Sequence, residues 1–181
     1  MSGTESADVL ELLREAWRLR FEQPDQARQL SARAVAECRH DQTRRRELIK
    51  GLKILGQLDR DANNLDAALK LYEEAVTICR ALGDPTLLAH TIRHVGDIHQ
   101  DAGRNNLAEP CYLEALSIYR ACEHTDLLDL ANAIRPLAMV RESGGHVEEA
   151  KQLFAEARDL YRLCNISAGV KEMSRRLALL Q

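Results

Sequence analysis

Residues 52–80, LKILGQLDRDANNLDAALKLYEEAVTICR, decide the fold. Two amphipathic segments flank a polar break at Asn63-Asn64, and small residues (Gly56, Ala68, Ala75) stand where two antiparallel helices would have to touch. Leu48, Leu52 and Leu55 give the first segment an apolar stripe at helical spacing, with Lys50, Lys53, Gln57 and Arg60 on the opposite side. The stretch reads as a helical hairpin.

The same hairpin is written again along the chain. The alanine that opens each second helix falls at Ala27, Ala68, Ala108 and Ala150, with spacings of 41, 40 and 42 residues. Four residues on come Ser31, Tyr72, Tyr112 and Phe154; seven on come Ala34, Ala75, Ala115 and Ala157. Cys38-Arg39, Cys79-Arg80, Tyr119-Arg120 and Tyr161-Arg162 follow in register, and Leu55-Gly56, Val95-Gly96 and Leu137-Ala138 recur upstream. A small residue on each helix lets the pair approach closely, and the large aromatic is expected to fill the space between successive hairpins.

These columns resemble the tetratricopeptide repeat, a helix–turn–helix unit of 34 residues. The likeness is good from Leu48 to Arg162. It is weaker from Ala7 to Arg39, where Glu15-Ala16 stands near the small-residue position and Ser31 replaces the aromatic, as an end repeat can. The longer period is similar to a variant with both helices extended and LGDPTLLAH as the link. The resemblance implies an all-α, right-handed α-solenoid of about four helix pairs plus a C-terminal capping helix. It also implies one domain over 1–181, with repeats near 7–40, 44–82, 85–123 and 126–164 and the cap at 166–180.

In chain order, Ser2 to Glu5 should be disordered and Asp8 to Phe21 helical, with Pro24-Asp25 opening the second helix. Thr43 is expected to cap a third helix whose first turn carries Arg44, Arg45 and Arg46. The later first helices should bury Leu88, Ile92 and Val95, then Leu130, Ile134 and Leu137. Their polar sides are His90, Arg93, Asp97 and Gln100, then Asn132, Arg135, Met139 and Glu142. Pro136 should bend its helix. Turns are expected at Asn63-Asn64, Gly103-Arg104 and Gly144-Gly145.

Composition narrows the function classes. Apolar residues at 45 % and charged residues at 29 % describe a folded chain, and a net charge of −3 gives no electrostatic ground for a nucleic-acid or membrane surface. No signal peptide or membrane-length apolar run occurs, and five cysteines without a CxxC suit reduced thiols, so a cytoplasmic protein is expected. Cys38 and Cys79 share the register of Tyr119 and Tyr161 and read as packing residues at hairpin junctions. No P-loop, GxGxxG, GxSxG or paired-carboxylate signature is present, so no catalytic residue and no cofactor is nominated.

The resemblance further implies that the first helices line a concave groove that holds a peptide. The groove residues would then be Lys50, Lys53, Gln57, Arg60, His90, Arg93, His94, Asp97, Asn132, Arg135 and Met139. Lys53, Arg93 and Arg135 match in three successive repeats, and such a row of positive charge would favour an acidic peptide or a carboxyl terminus. The chaperone-binding members hold a terminal carboxylate with Lys and Asn from three repeats. Lys53 matches one such lysine, but Gln57, His94, Asn132 and Pro136 depart from the pattern, so that clamp is mostly absent.

His90, His94 and Asp97, at i, i+4 and i+7, share a face that could ligate a metal, yet no cysteine pair or HExxH accompanies them, and a polar face is the preferred reading. Either histidine would let binding weaken above neutral pH. The expectation is a non-catalytic scaffold or adaptor for a protein or peptide partner. The alternatives are self-association into a homodimer through the end helices, or a ligand-sensing regulatory module; a metal-binding protein or an enzyme stands behind these.

Overall fold

The computed structural model describes residues 8–180. The disorder expected for Ser2 to Glu5, and the start of the first repeat at Ala7, lie outside them. The described residues contain no strand and form helices α1 (Val9–Leu19), α2 (Pro24–Cys38), α3 (Arg45–Asp61), α4 (Leu65–Leu82), α5 (Pro85–Asp101), α6 (Asn105–Ala121), α7 (Leu127–Ser143), α8 (Val147–Leu163) and α9 (Ser167–Leu179). Two compact units are present, divided between Gly83 and Asp84. In the first unit α1 packs on α2, α2 on α3, and α3 on α4. In the second, α5 packs on α6, α6 on α7, α7 on α8, and α8 on α9.

Local chemistry explains the boundaries. Asp8, Asp84 and Asp126 each accept a backbone N–H of the helix they precede, satisfying a donor that has no partner within the helix. The turn positions Asn63 (φ 60°), Gly103 (φ 71°) and Gly145 (φ 79°) are left-handed, as their residue types allow. Two expectations are corrected here. Thr43 is not the cap of the third helix: it lies in a short 3-10 turn, Gln42–Arg44, which Asp41 caps by accepting from the Thr43 backbone and hydroxyl at 2.9 and 2.6 Å, and α3 itself starts from Arg44 with no side-chain cap. A carboxylate outcompetes a hydroxyl as acceptor at a helix amino end. The first helix ends at Leu19, which leaves Phe21 beyond it and exposed.

The repeat columns become the core. Ala27, Ala68, Ala108 and Ala150 are wholly buried, as are Ala75, Ala115, Ala157 and Phe154. The aromatic works within its own pair as well as between hairpins: Tyr112 of α6 shares a buried cluster with Ile134 and Leu137 of α7, and it also meets its partner helix closely. A Cβ built on Gly56 of α3 would lie 2.6 Å from the Tyr72 ring of α4, and one on Gly96 of α5 would lie 2.7 Å from the Tyr112 ring of α6. In the first pair Ser31 is buried, and it is Gly51 of α3 that admits α2, its added Cβ falling 2.7 Å from Val35.

Leu88 and Leu130 are only half-buried. Ala89 in α5 and Ala131 in α7 take the interior positions beside them, where close helix contact selects the smaller side chain, while Ile92, Val95, Ile134 and Leu137 are buried as expected. Helix α7 runs unbroken through Pro136, and α6 likewise through Pro110. Met173 of α9 is fully buried against Phe154, Ala157 and Tyr161, with Val170, Leu177 and Leu180 packed around that cluster, so α9 covers the last pair as expected.

Gly96→Ala tests this packing. Helix propensity alone favours alanine by about 1 kcal/mol. The Tyr112 ring cannot retreat, because it is wholly buried and its single O–H is shared between Asp97 Oδ1 and Gln100 Oε1, both at 3.1 Å. The expected net outcome is a loss of about 1–3 kcal/mol in chemical denaturation, and more for the larger side chain of Gly56→Leu. Thiol titration gives an independent check. The buried Cys38 and Cys79 should react only on unfolding, and burial also pushes the Cys38 thiol pKa up, whereas Cys111, Cys122 and Cys164 are partly accessible.

Candidate binding face

The eleven groove residues divide between the units. Lys50, Lys53, Gln57 and Arg60 lie on α3 of the first unit, where Lys50 is exposed and the others are half-buried. Gln57 Nε2 donates to Asp61 Oδ1 at 2.7 Å, so part of this face is engaged along its own helix. The remaining seven, His90, Arg93, His94, Asp97, Asn132, Arg135 and Met139, stand on α5 and α7 of the second unit.

Asp97 is the centre of the α5 group, and it is not a solvent-facing residue. Its side chain is 12 % exposed, as is that of Arg93, which donates to Asp97 Oδ2 at 2.9 Å from one helical turn away. His94 Nδ1 approaches the same oxygen at 3.2 Å, and Tyr112 Oη donates to Asp97 Oδ1. Arg93 Nη2 lies 3.0 Å from His94 Nε2, so the imidazole accepts from arginine at one nitrogen and turns the other towards the carboxylate. The His90 and His94 rings are 4.7 Å apart at an angle of 57°. A buried charge held by three neighbours is a structural knot. Among the described residues no group of three or more His, Cys, Asp and Glu is placed to hold a metal ion.

The α7 group is held from α8 and α9. Asn132 Oδ1 accepts from Tyr161 Oη at 2.8 Å, which fixes the amide plane. Arg135 Nη1 donates to Glu172 Oε2 at 3.3 Å, and Arg176 Nη1 of α9 donates to Glu142 of α7 at 2.6 Å. Met139 is half-buried against the core of the unit. Burial raises the pKa of the Tyr119 and Tyr161 hydroxyls. Asp129 adds to the rise at Tyr119 and Glu172 to that at Tyr161, while Arg93 opposes it at both, as does Arg135 at Tyr161.

The matched cations do not form an unbalanced row. Arg93 is neutralised by Asp97 and Arg135 by Glu172, while Lys53 belongs to the other unit. Sequence reasoning missed the hydroxyls of Tyr112 and Tyr161 and the carboxylate of Glu172. The tyrosines were visible only as packing columns, although a buried phenol needs a polar partner and could have signalled one.

Removing Asp97 should be costly. Asp97→Ala leaves the buried Arg93 charge unmatched and should destabilise by about 3–5 kcal/mol. Tyr161→Phe removes one hydrogen bond and should cost only about 1 kcal/mol, both measured by urea denaturation.

With the geometry in place, comparison with known proteins identifies the family. Tetratricopeptide repeat profiles match residues 87–162 and 54–84, together more than half of the chain. No curated protein sequence matches it. Among solved structures it is similar to aspartyl phosphate phosphatase F from Bacillus subtilis (TM-score 0.84, 12 % identity), over 92 % of this chain and 43 % of that one. It is also similar to the apo form of RapI (TM-score 0.84, 15 % identity), over 97 % of this chain and 65 % of that one. The nearly identical TPR-like repeats of a putative kinesin light chain from Podosopora anserina give a TM-score of 0.69 at 15 % identity, covering 96 % and 94 % of the two chains. The chain thus spans less than two thirds of the first two proteins, and the likeness is one of fold. No described helix is long and apolar enough to cross a membrane. On its repeat columns, its paired helices and these matches, the chain belongs to the tetratricopeptide repeat family, with an all-α fold of the helical-solenoid class.

Proposed function

We propose that the protein is a non-catalytic interaction scaffold that holds a peptide segment of a protein partner on the α5–α7 face of its second unit. The observation that carries this is the anchoring of Asn132 and Arg135, three residues apart on α7. Tyr161 holds the Asn132 oxygen, which leaves the amide N–H₂ directed and available, and Glu172 steadies Arg135 at 41 % side-chain exposure. Donors held in place from outside their own helix bind an acceptor at little cost in entropy. A backbone carbonyl suits Asn132 and a carboxylate suits Arg135, the latter competing with Glu172. In this reading an acidic preference rests on Arg135, because Arg93 is already committed to Asp97. The polar side of α3 supplies further contacts of the same kind.

The test is selection from a displayed peptide library, followed by affinity measurement on the selected peptides. Asn132→Ala with Arg135→Ala should weaken binding by tenfold or more with helicity unchanged. Tyr161→Phe, which frees the amide without deleting it, should weaken binding less. Peptides that bind the double variant as tightly as the wild type would place the site elsewhere. Arg93 is unsuited to this test, since Arg93→Glu would bury a second carboxylate beside Asp97 and unfold the site.

A further inference from the structure

Helix α1 carries an apolar stripe that its own unit does not use. Its buried side, Val9, Leu12, Leu13, Ala16 and Leu19, faces α2 and α3. On the other side Leu10 is 39 % exposed, Trp17 46 % and Phe21 71 %. With Arg14 they stand at i, i+4, i+7 and i+11, the spacing of a coiled-coil seam, and Arg20 keeps helical dihedrals so the register reaches Phe21. The Arg20 guanidinium lies over the Trp17 and Phe21 rings at 3.7 and 4.0 Å. Two large aromatics and a leucine exposed on one short helix mark an interaction surface.

We propose that this stripe docks on itself, α1 pairing antiparallel with α1 of a second copy about a two-fold axis. The charges flanking the stripe select that partner and that direction. Glu11 and Arg18 follow Leu10 and Trp17 by one residue each and so lie on the same flank, seven residues apart. Antiparallel pairing sets Leu10 opposite Phe21 and Arg14 opposite Trp17. It brings Glu11 against Arg18 of the second copy, and by symmetry does so twice. Arg14 then rests on an indole face. Parallel pairing would instead oppose Arg14 to Arg14 in the seam. The within-helix pairs Glu11–Arg14 and Glu15–Arg18 are solvent-exposed, so exchanging them for intermolecular pairs costs little. The seam spans only three turns, which predicts a weak, concentration-dependent dimer.

The experiment is sedimentation equilibrium of the full chain from a few micromolar to several hundred micromolar, with emission from the single tryptophan, Trp17, as a second readout. Wild type should rise from 20.4 kDa towards twice that mass, with a Trp17 spectral shift over the same range. Glu11→Arg and Arg18→Glu should each weaken dimerisation by about tenfold or more. An equimolar mixture of the two variants should restore it, since every flanking pair is again of opposite sign. Both substitutions are on exposed positions, and circular dichroism checks that each variant is folded. A wild type that stays monomeric throughout overturns the proposal. So does a dimer that both variants retain unchanged, or a mixture that associates no more tightly than either variant alone.

Discussion

The approach of Tyr72 and of Tyr112 onto a glycine of the preceding helix is the contact on which the rest depends. Gly56 takes the Tyr72 ring and Gly96 takes Tyr112, both within a separation that admits no Cβ. This contact sets the distance between the helices of a pair, and the wholly buried alanines of the same columns set it from the other side. It also reaches the candidate binding face. With its ring seated on Gly96, Tyr112 delivers its hydroxyl to Asp97, and Asp97 in turn orients Arg93 and His94. Packing and polar geometry are one construction here.

Further along the second unit the device recurs with different chemistry. Tyr161 packs its ring against Gly169 of α9, whose added Cβ would lie 2.5 Å away, and holds Asn132 of α7 through its hydroxyl. Two ion pairs, Arg135–Glu172 and Arg176–Glu142, tie α7 to α9 in a parallel sense. Helix α9 therefore both closes the apolar face of the last pair and supplies a carboxylate that conditions Arg135. A capping element thus takes part in the candidate binding face, since the stack leaves its polar edge beside the preceding first helix.

Charge is balanced locally throughout this face. Arg93 of α5 and Arg135 of α7 each meet a carboxylate within the same unit, so the proposed recognition draws on oriented hydrogen-bond donors more than on bulk electrostatic attraction.

The sequence by itself determined the helix pairs, their turns, and the columns that pack them. These are encoded within a few residues: apolar spacing of three and four, Asn and Gly where the backbone turns left-handed, and Gly or Ala where helices touch. It also placed Arg93 and Asp97 one turn apart on one helix. Only the tertiary structure decided that Asp97 is buried, that Asp41 caps a 3-10 turn holding Thr43 ahead of the third helix, and that Tyr161 and Glu172 hold Asn132 and Arg135. The competition between Asp41 and Thr43 turns on hydrogen-bond geometry. The other partners lie 15 to 37 residues apart in the chain, and their meeting depends on how separate helices stack, which local spacing does not encode.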